Sequence, residues 1–169
     1  PGKVEKVLKD TGNPDRLALL RNIDDPHAEF VWAIHRDAFH YAAHLLAEIA
    51  DNTRDVDFAI RWGFGWKQGP FEIWQQAGWK KITGLIKADI DAGKSVCALP
   101  LPEWVQSIDA VHSEQGSWSP AADSYRPRTA LPVYNRQRFP ELLVGEKAPQ
   151  PEVLFENEAT RFWIADGDI

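Results

Sequence analysis

Several groups of residues have the types and the spacing for chemistry. His40 and His44 stand four apart, His35 lies about one turn earlier and Glu48 one turn later. On a helix that spacing can present ligands to zinc. A metal needs three or four converging ligands, however, and neither an HExxH pattern nor a cysteine pair accompanies these histidines, so a polar helix face or satisfied interface histidines is the preferred reading. Asp109, His112 and Ser113 supply the types of a hydrolytic triad, but no GxSxG elbow is present, and closeness in sequence says almost nothing about a triad's geometry. Lys80, Lys81, Arg126, Arg128, Arg136 and Arg138 could meet coenzyme phosphates, with a solvated surface the simpler alternative. Cys97, inside the apolar run SVCALPL, reads as a small buried hydrophobe. The eight tryptophans are dispersed, which favours core and interdomain packing over a stacking platform.

The most informative stretch is Asp55 to Gly78, DVDFAIRWGFGWKQGPFEIWQQAG. It reads as an acidic-headed helix, a loop pinned by Gly63, Gly65 and Gly69, and a second helix opening at Pro70. The glycines permit positive backbone angles or close backbone approach, and Pro70 presets a helix start, so the loop is rigid. Phe64, Trp66, Phe71 and Trp74 are expected to crowd around it and bury apolar area.

The elements that must carry these residues follow from caps and periodicity. Asn13-Pro14-Asp15 starts a short helix to about Asn22, and Asp24-Asp25-Pro26 starts a long one to about Asp51. Along that helix Phe30, Ile34, Tyr41, Leu45 and Ile49, with Ala38 and Ala42 between, trace an apolar stripe. Thr53 caps a helix with Asp55 and Asp57 in its first turn, Val56, Ala59 and Ile60 facing inward and Gly63 as its stop. Phe71 to Ala77 forms the next helix, closed by Gly78, and Ile82, Leu85, Ile86 and Ile90 mark another, ending near Gly93. Pro102-Glu103-Trp104 opens a shorter one. Beyond Asp109, Trp118 and Tyr125 can anchor a small hairpin or an ordered loop. Gly145 to Pro151 reads as an exposed linker. Val153-Leu154-Phe155 and Thr160 to Ile164 read as strands, with Asp166-Gly167 a tight turn whose second strand is missing.

With 169 residues, 44% of them apolar, one main domain is expected. The net charge of -6 argues against nucleic acid or an anionic membrane as partner. The longest apolar stretches are too short and too interrupted to span a bilayer. A single cysteine and no charged-then-apolar leader favour a reducing, cytoplasmic setting. The chain contains no methionine, which suggests a piece excised from something longer.

From about Phe30 to Trp79 the chain resembles the helical C-terminal domain of 3-hydroxyacyl-CoA dehydrogenases, with GFGWKQGPFEIW the specific part. Tyr125 to Pro140 and Asn157 to Ile169 resemble a bacterial subset in which the dehydrogenase is fused to a downstream enoyl-CoA hydratase. The resemblance implies a mostly α fold of the 6-phosphogluconate-dehydrogenase C-terminal type with a short β-rich tail. It implies a helical domain over 1–144, a linker over 145–152 and the truncated start of a crotonase-like domain over 153–169. It also implies companion Rossmann and hydratase domains, an acyl-CoA substrate, NAD in the full enzyme and a possible homodimer. The family's catalytic His/Glu pair and NAD site belong to the Rossmann part, and no strand-GxGxxG-helix unit occurs here. The family's substrate-facing asparagine in an asparagine-arginine pair is absent as well, its nearest counterpart being His35-Arg36. The resemblance therefore points to a packing copy of the helical domain. No catalytic, cofactor-binding or metal residue is carried over, and Gly63, Gly65, Gly69 and Pro70 stand as a structural signature loop.

Overall fold

A computed structural model describes residues 2–148 and 150–164, so the Asp166-Gly167 turn lies outside the described residues. The chain is mostly α with a small β tail. Seven helices come first: α1 (Lys3–Lys9), α2 (Arg16–Arg21), α3 (Pro26–Ile49), α4 (Thr53–Phe64), α5 (Pro70–Gln76), α6 (Trp79–Asp91) and α7 (Glu103–Ser107). A three-stranded antiparallel meander follows, β1 (His112–Ser113), β2 (Gly116–Ser119) and β3 (Ser124–Arg126), with Trp118 paired to Tyr125 as the hairpin reading expects. After α8 (Pro132–Asn135), β4 (Glu152–Glu156) and β5 (Arg161–Ile164) form a separate antiparallel hairpin. The strand-like segments at the end of the chain thus pair with each other across 157–160, and β5 has its partner in β4.

Local chemistry sets the helix ends. Asp25 accepts from the His27 amide and Pro26 follows it, which opens α3. Asn52, one residue before the expected cap, accepts from the Arg54 amide and opens α4. Gly63 does not stop α4. The helix runs one residue further and ends on Gly65, whose φ of 67° is the left-handed closing conformation. The amphipathic α1 was not anticipated from the sequence.

The core lies where α3, α5 and α6 meet. Phe39 stacks on Trp74 with ring centroids 5.4 Å apart, Trp74 on Trp79 at 4.1 Å, and Trp79 on Trp104 at 6.1 Å. The indole N–H of Trp74 donates to the Trp79 carbonyl and that of Trp79 to the Val105 carbonyl, so the ladder buries no orphan donor. Helix α3 turns Ala28, Trp32, Phe39, Ala43 and Leu46 to this core. Of the stripe read from periodicity, Phe30, Ile34, Tyr41 and Ile49 lie on the opposite side and are exposed, Leu45 is half-buried, and Ala42 belongs to the core. Two apolar periods share this helix, and the one at Trp32, Phe39 and Leu46 took the interior. Cys97 is exposed rather than buried, in a loop over residues 92–100 that runs beside α3.

Candidate functional site

The signature stretch converges on one carboxylate. Helix α4 turns Thr53 and Asp57 inward, leaving Ala59 exposed and Val56 and Ile60 only half-buried, against the expected apolar inner face. Asp57 is not spent on the amide end of its own helix. Its Oδ1 accepts from the Phe71 amide at 2.9 Å and its Oδ2 from the Glu72 amide at 3.1 Å, so it caps α5 from the side. Gly69 is required by this approach: a Cβ there would lie 2.3 Å from the Asp57 Cα. Pro70 then sets the first turn, and the Gly69 amide donates to Glu72 Oε2. Among the three glycines of the loop, Gly65 serves by its backbone angle and Gly69 by its missing side chain. Gly63 meets neither need.

A third partner comes from the β meander. His112 Nε2 lies 2.7 Å from Asp57 Oδ2, and His112 Nδ1 lies 2.9 Å from Ser117 Oγ. Asp57, His112 and Ser117 thus stand in the order of a catalytic relay, and all three are almost wholly buried. Burial pushes the Asp57 carboxyl up from its usual range, against the pull of His112 and the two amides. Chemically the arrangement is a closed lock. A nucleophile must reach substrate, and Ser117 Oγ faces only the protein interior. The triad considered from the sequence is not assembled: Asp109 points to solvent beside Lys80, and Ser113 bonds within its own turn. Ser117 lies five residues from His112, but nothing local could have announced Asp57 as its partner, since 55 residues separate the pair.

Around this lock, Gln75 of α5 accepts from the amides of Val111 and His112 and donates to the carbonyls of His112 and Val144. Glu72 accepts from the Val144 amide and lies 3.6 Å from Arg61. Its carboxyl is pushed up by burial and by Asp57, with Gly69 and Arg61 opposing. Arg54 pairs with Glu146, whose side chain is buried. The stretch expected to begin an exposed linker therefore starts with Gly145 and Glu146 fastened to the helical body.

A second buried charge cluster accounts for Arg36. The Arg36 guanidinium bonds to Asp37 and reaches Asp89, and Asp89 also accepts from Arg21 at 2.7 Å and from the Trp32 indole at 2.7 Å. Burial alone would raise the Asp89 carboxyl; the bonds from Arg21, Trp32 and Arg36 outweigh it and hold the group below its usual value. Arg36 is consumed in packing α3 on α6.

The histidine series does not converge. His35 Nδ1 faces the Val31 carbonyl, His44 Nε2 lies 2.9 Å from the Pro100 carbonyl, and Glu48 is exposed. Among the described residues no group of three or more His, Cys, Asp or Glu side chains could hold a metal. Lys80 and Lys81 are engaged with Asp109 and Asp15. The aromatics of the signature divide: Phe71 and Trp74 are buried, whereas Phe64 and Trp66 project into solvent with Trp62, beside the exposed Lys67. This tip of α4 is the one part of the signature left open to a partner.

The comparisons with known proteins agree with the resemblance read from the sequence. The chain is 37% identical over 101 residues, 53% of its length, to a Bacillus subtilis protein named as a 3-hydroxyacyl-CoA dehydrogenase. It is 30% identical over 105 residues, 60% of its length, to a Rickettsia felis protein named as a fatty acid oxidation complex trifunctional enzyme. The match spans only 13% of each relative's length. No protein-family model matches the chain, and no solved structure does. No helix among the described residues is long and apolar enough to cross a membrane.

Proposed function

We propose that this chain is the helical C-terminal part of a 3-hydroxyacyl-CoA dehydrogenase that oxidises 3-hydroxyacyl-CoA to 3-oxoacyl-CoA with NAD in cytoplasmic β-oxidation. The observation that carries the reading is the 37% identity over 101 residues to the Bacillus subtilis protein. The chemistry belongs to companion domains. Hydride transfer to NAD needs a dinucleotide-binding βαβ unit, and the described strands here are all antiparallel. The role left to this chain is to hold a rigid surface against those domains. Its lock at Asp57 fixes α4 to α5, and that in turn fixes the open tip of Trp62, Phe64, Trp66 and Lys67 where substrate or a companion domain is met. Its helical body corresponds to the 6-phosphogluconate-dehydrogenase C-terminal type over 1–144. The β4–β5 hairpin, with Val153, Leu154, Phe155 and Phe162 exposed, is the start of a crotonase-like hydratase domain.

The test is the complete reading frame. Expressed whole, it is expected to produce NADH from 3-hydroxybutyryl-CoA and to encode a strand-GxGxxG-helix unit upstream of Pro1. Absence of that unit, or no NADH from the whole protein, refutes the proposal. A second reading, a scaffold that never touches coenzyme A, is favoured by the sealed Asp57–His112–Ser117 lock. Calorimetric titration of the chain with acetoacetyl-CoA separates the two, since saturable heat excludes the scaffold.

A further inference from the structure

The loop over residues 92–100, which joins α6 to α7, lies along α3 as a strap with almost no apolar anchorage. Every residue from Val96 to Pro100 is exposed, and Ser95 is only half-buried. Its ends are firm: Gly93 turns out of α6 with a φ of 67°, and Leu101 is part of the core. Between them the strap is held by a polar row on α3, Asp37, His40 and His44, whose spacing of three and four puts them on one face. Ser95 Oγ donates to Asp37 Oδ1 at 3.1 Å, and the Val96 amide donates to the same oxygen at 3.4 Å. His40 Nδ1 lies 3.5 Å from Ser95 Oγ, and His44 Nε2 lies 2.9 Å from the Pro100 carbonyl. We propose that residues 94–100 are a pH-operated strap, closed on α3 while His40 is neutral and released when His40 takes up a proton.

The hydrogen bonds fix where that proton must go. Ser95 spends its hydroxyl proton on Asp37, so toward His40 it can only accept, which sets His40 as the Nδ1–H tautomer. His40 Nε2 is then a bare lone pair, sealed from water and without a hydrogen bond, in a residue that is 1% exposed. A proton added there creates a cation with no water to hydrate it. The charged and titratable groups acting on the ring are His44 and Asp37 of its own helix. Asp37 is already engaged by Arg36, which also reaches Asp89 of α6. The strap brings the Leu99 and Pro100 carbonyls to the ring, while its Lys94 and Cys97 are exposed. Burial and the neighbouring His44 hold His40 below its ordinary value, against the help of Asp37 and those two carbonyls.

Releasing the strap is the least costly way to hydrate that charge. Opening the other side of α3 would expose Phe39 and Trp74, whereas lifting the strap gives up a few polar contacts whose groups all find water instead. His44, with its ring 4.8 Å away, adds repulsion once both rings are protonated. A closed-state value below that of the open strap means that closure holds at the higher pH and is lost as pH falls. Below about pH 6.5 the open form gains up to about tenfold per pH unit. The switch does not depend on the chemistry proposed above, and loss of dehydrogenase activity in the whole protein would leave it unchanged.

Cys97, the single cysteine of the chain, is exposed in mid-strap, so a nitroxide attached there reports on the strap alone. Electron paramagnetic resonance of the labelled 169-residue chain should show the mobile component rising about fivefold or more from about pH 7.5 to about pH 5.5. Far-ultraviolet circular dichroism should stay unchanged over that interval. Ser95→Ala should be mobile already at the higher pH, and His40→Gln, which has no titrating proton, should stay closed at both. If His40→Gln does not fold, the wild-type chain decides, because the midpoint of strap mobility must coincide with that of the His40 imidazole followed by nuclear magnetic resonance. Mobility that ignores pH, that rises only with loss of helix, that still responds to pH in folded His40→Gln, or whose midpoint departs from that of His40 overturns the proposal. So does a Ser95→Ala strap as restrained as that of wild type.

Discussion

Gly69→Ala gives the sharpest test of why the signature loop has its residues. The added Cβ would sit 2.3 Å from the Asp57 Cα and 2.2 Å from its Oδ1, where ordinary contact begins at 3.4 Å. Backbone cannot rotate away as a side chain can, so α4 and the loop must separate by about 1 Å. The 2.9 and 3.1 Å bonds from Phe71 and Glu72 to Asp57 do not survive that displacement. Hydrogen bonds to a charged group contribute roughly 1.5 to 3 kcal/mol each, and overpacking costs a further 1 to 3 kcal/mol. With partial relaxation, a destabilisation of about 4 kcal/mol is expected. For a domain of this size that lowers the melting temperature by roughly 8 to 16 °C. Gly63→Ala is the matched control. Nothing lies within 4 Å of its Cβ, and the position is inside α4, where alanine outranks glycine by about 1 kcal/mol. Its melting temperature should rise by a few degrees, roughly 2 to 4 °C. Circular dichroism melts of the two variants decide the matter. Equal shifts, or a Gly69→Ala melt within about 2 °C of wild type, would falsify the close-approach account.

Other consequences can be checked in the same protein. Asp89→Asn leaves the buried Arg36 short of charge and should cost about 3 kcal/mol by urea denaturation, whereas Asp15→Asn, at the exposed bridge to Lys81, should stay within about 0.5 kcal/mol. His35 and His40 are both held below their ordinary value of 6.5, chiefly by burial and, at His40, also by His44, whose ring lies 4.8 Å away. A folded value below the unfolded one means that stability present above pH 6.5 is lost as pH falls through that value. Unfolding free energy should therefore decline from about pH 7 to pH 5, and His40→Gln should flatten the decline; an unchanged slope counts against the assignment. Gln75→Ala removes the side chain that holds β1 and the 144 carbonyl together. Limited proteolysis should then cut near Leu142 to Gly145 while the helical body persists, and wild-type resistance there would refute that role.

Local signals in the sequence were sufficient for most helices. Asp25-Pro26, Gly69-Pro70 and the glycines after α5 and α6 each carry their own backbone reason, so α3, α5 and α6 begin and end within about two residues of expectation. Trp118 and Tyr125 marked the meander because an aromatic cross-strand pair needs only the right turn between its members. What failed was tertiary. The outward stripe of α3 and the inward one at Trp32, Phe39 and Leu46 are equally helical, and only the arrival of Trp74 and Trp79 decides between them. Asp57 had the look of an acid serving its own helix start. Its role became visible once α5 and His112 were brought to it from distant parts of the chain. Phe64 and Trp66 shared the signature with Phe71 and Trp74, yet they sit where α4 projects past the body that would have covered them.

One carboxylate at position 57 answers two amides 14 and 15 residues onward and an imidazole 55 residues onward. This ties the dissection of the protein to the meander. An excision that stops after α6 or α7 strands an acid behind a wall of side chains with its proton donor removed, and it frees both ends of Gln75. The smallest autonomous folding unit that contains α4 and α5 must reach at least to Glu146, and any design that borrows these helices inherits the strands as their stopper.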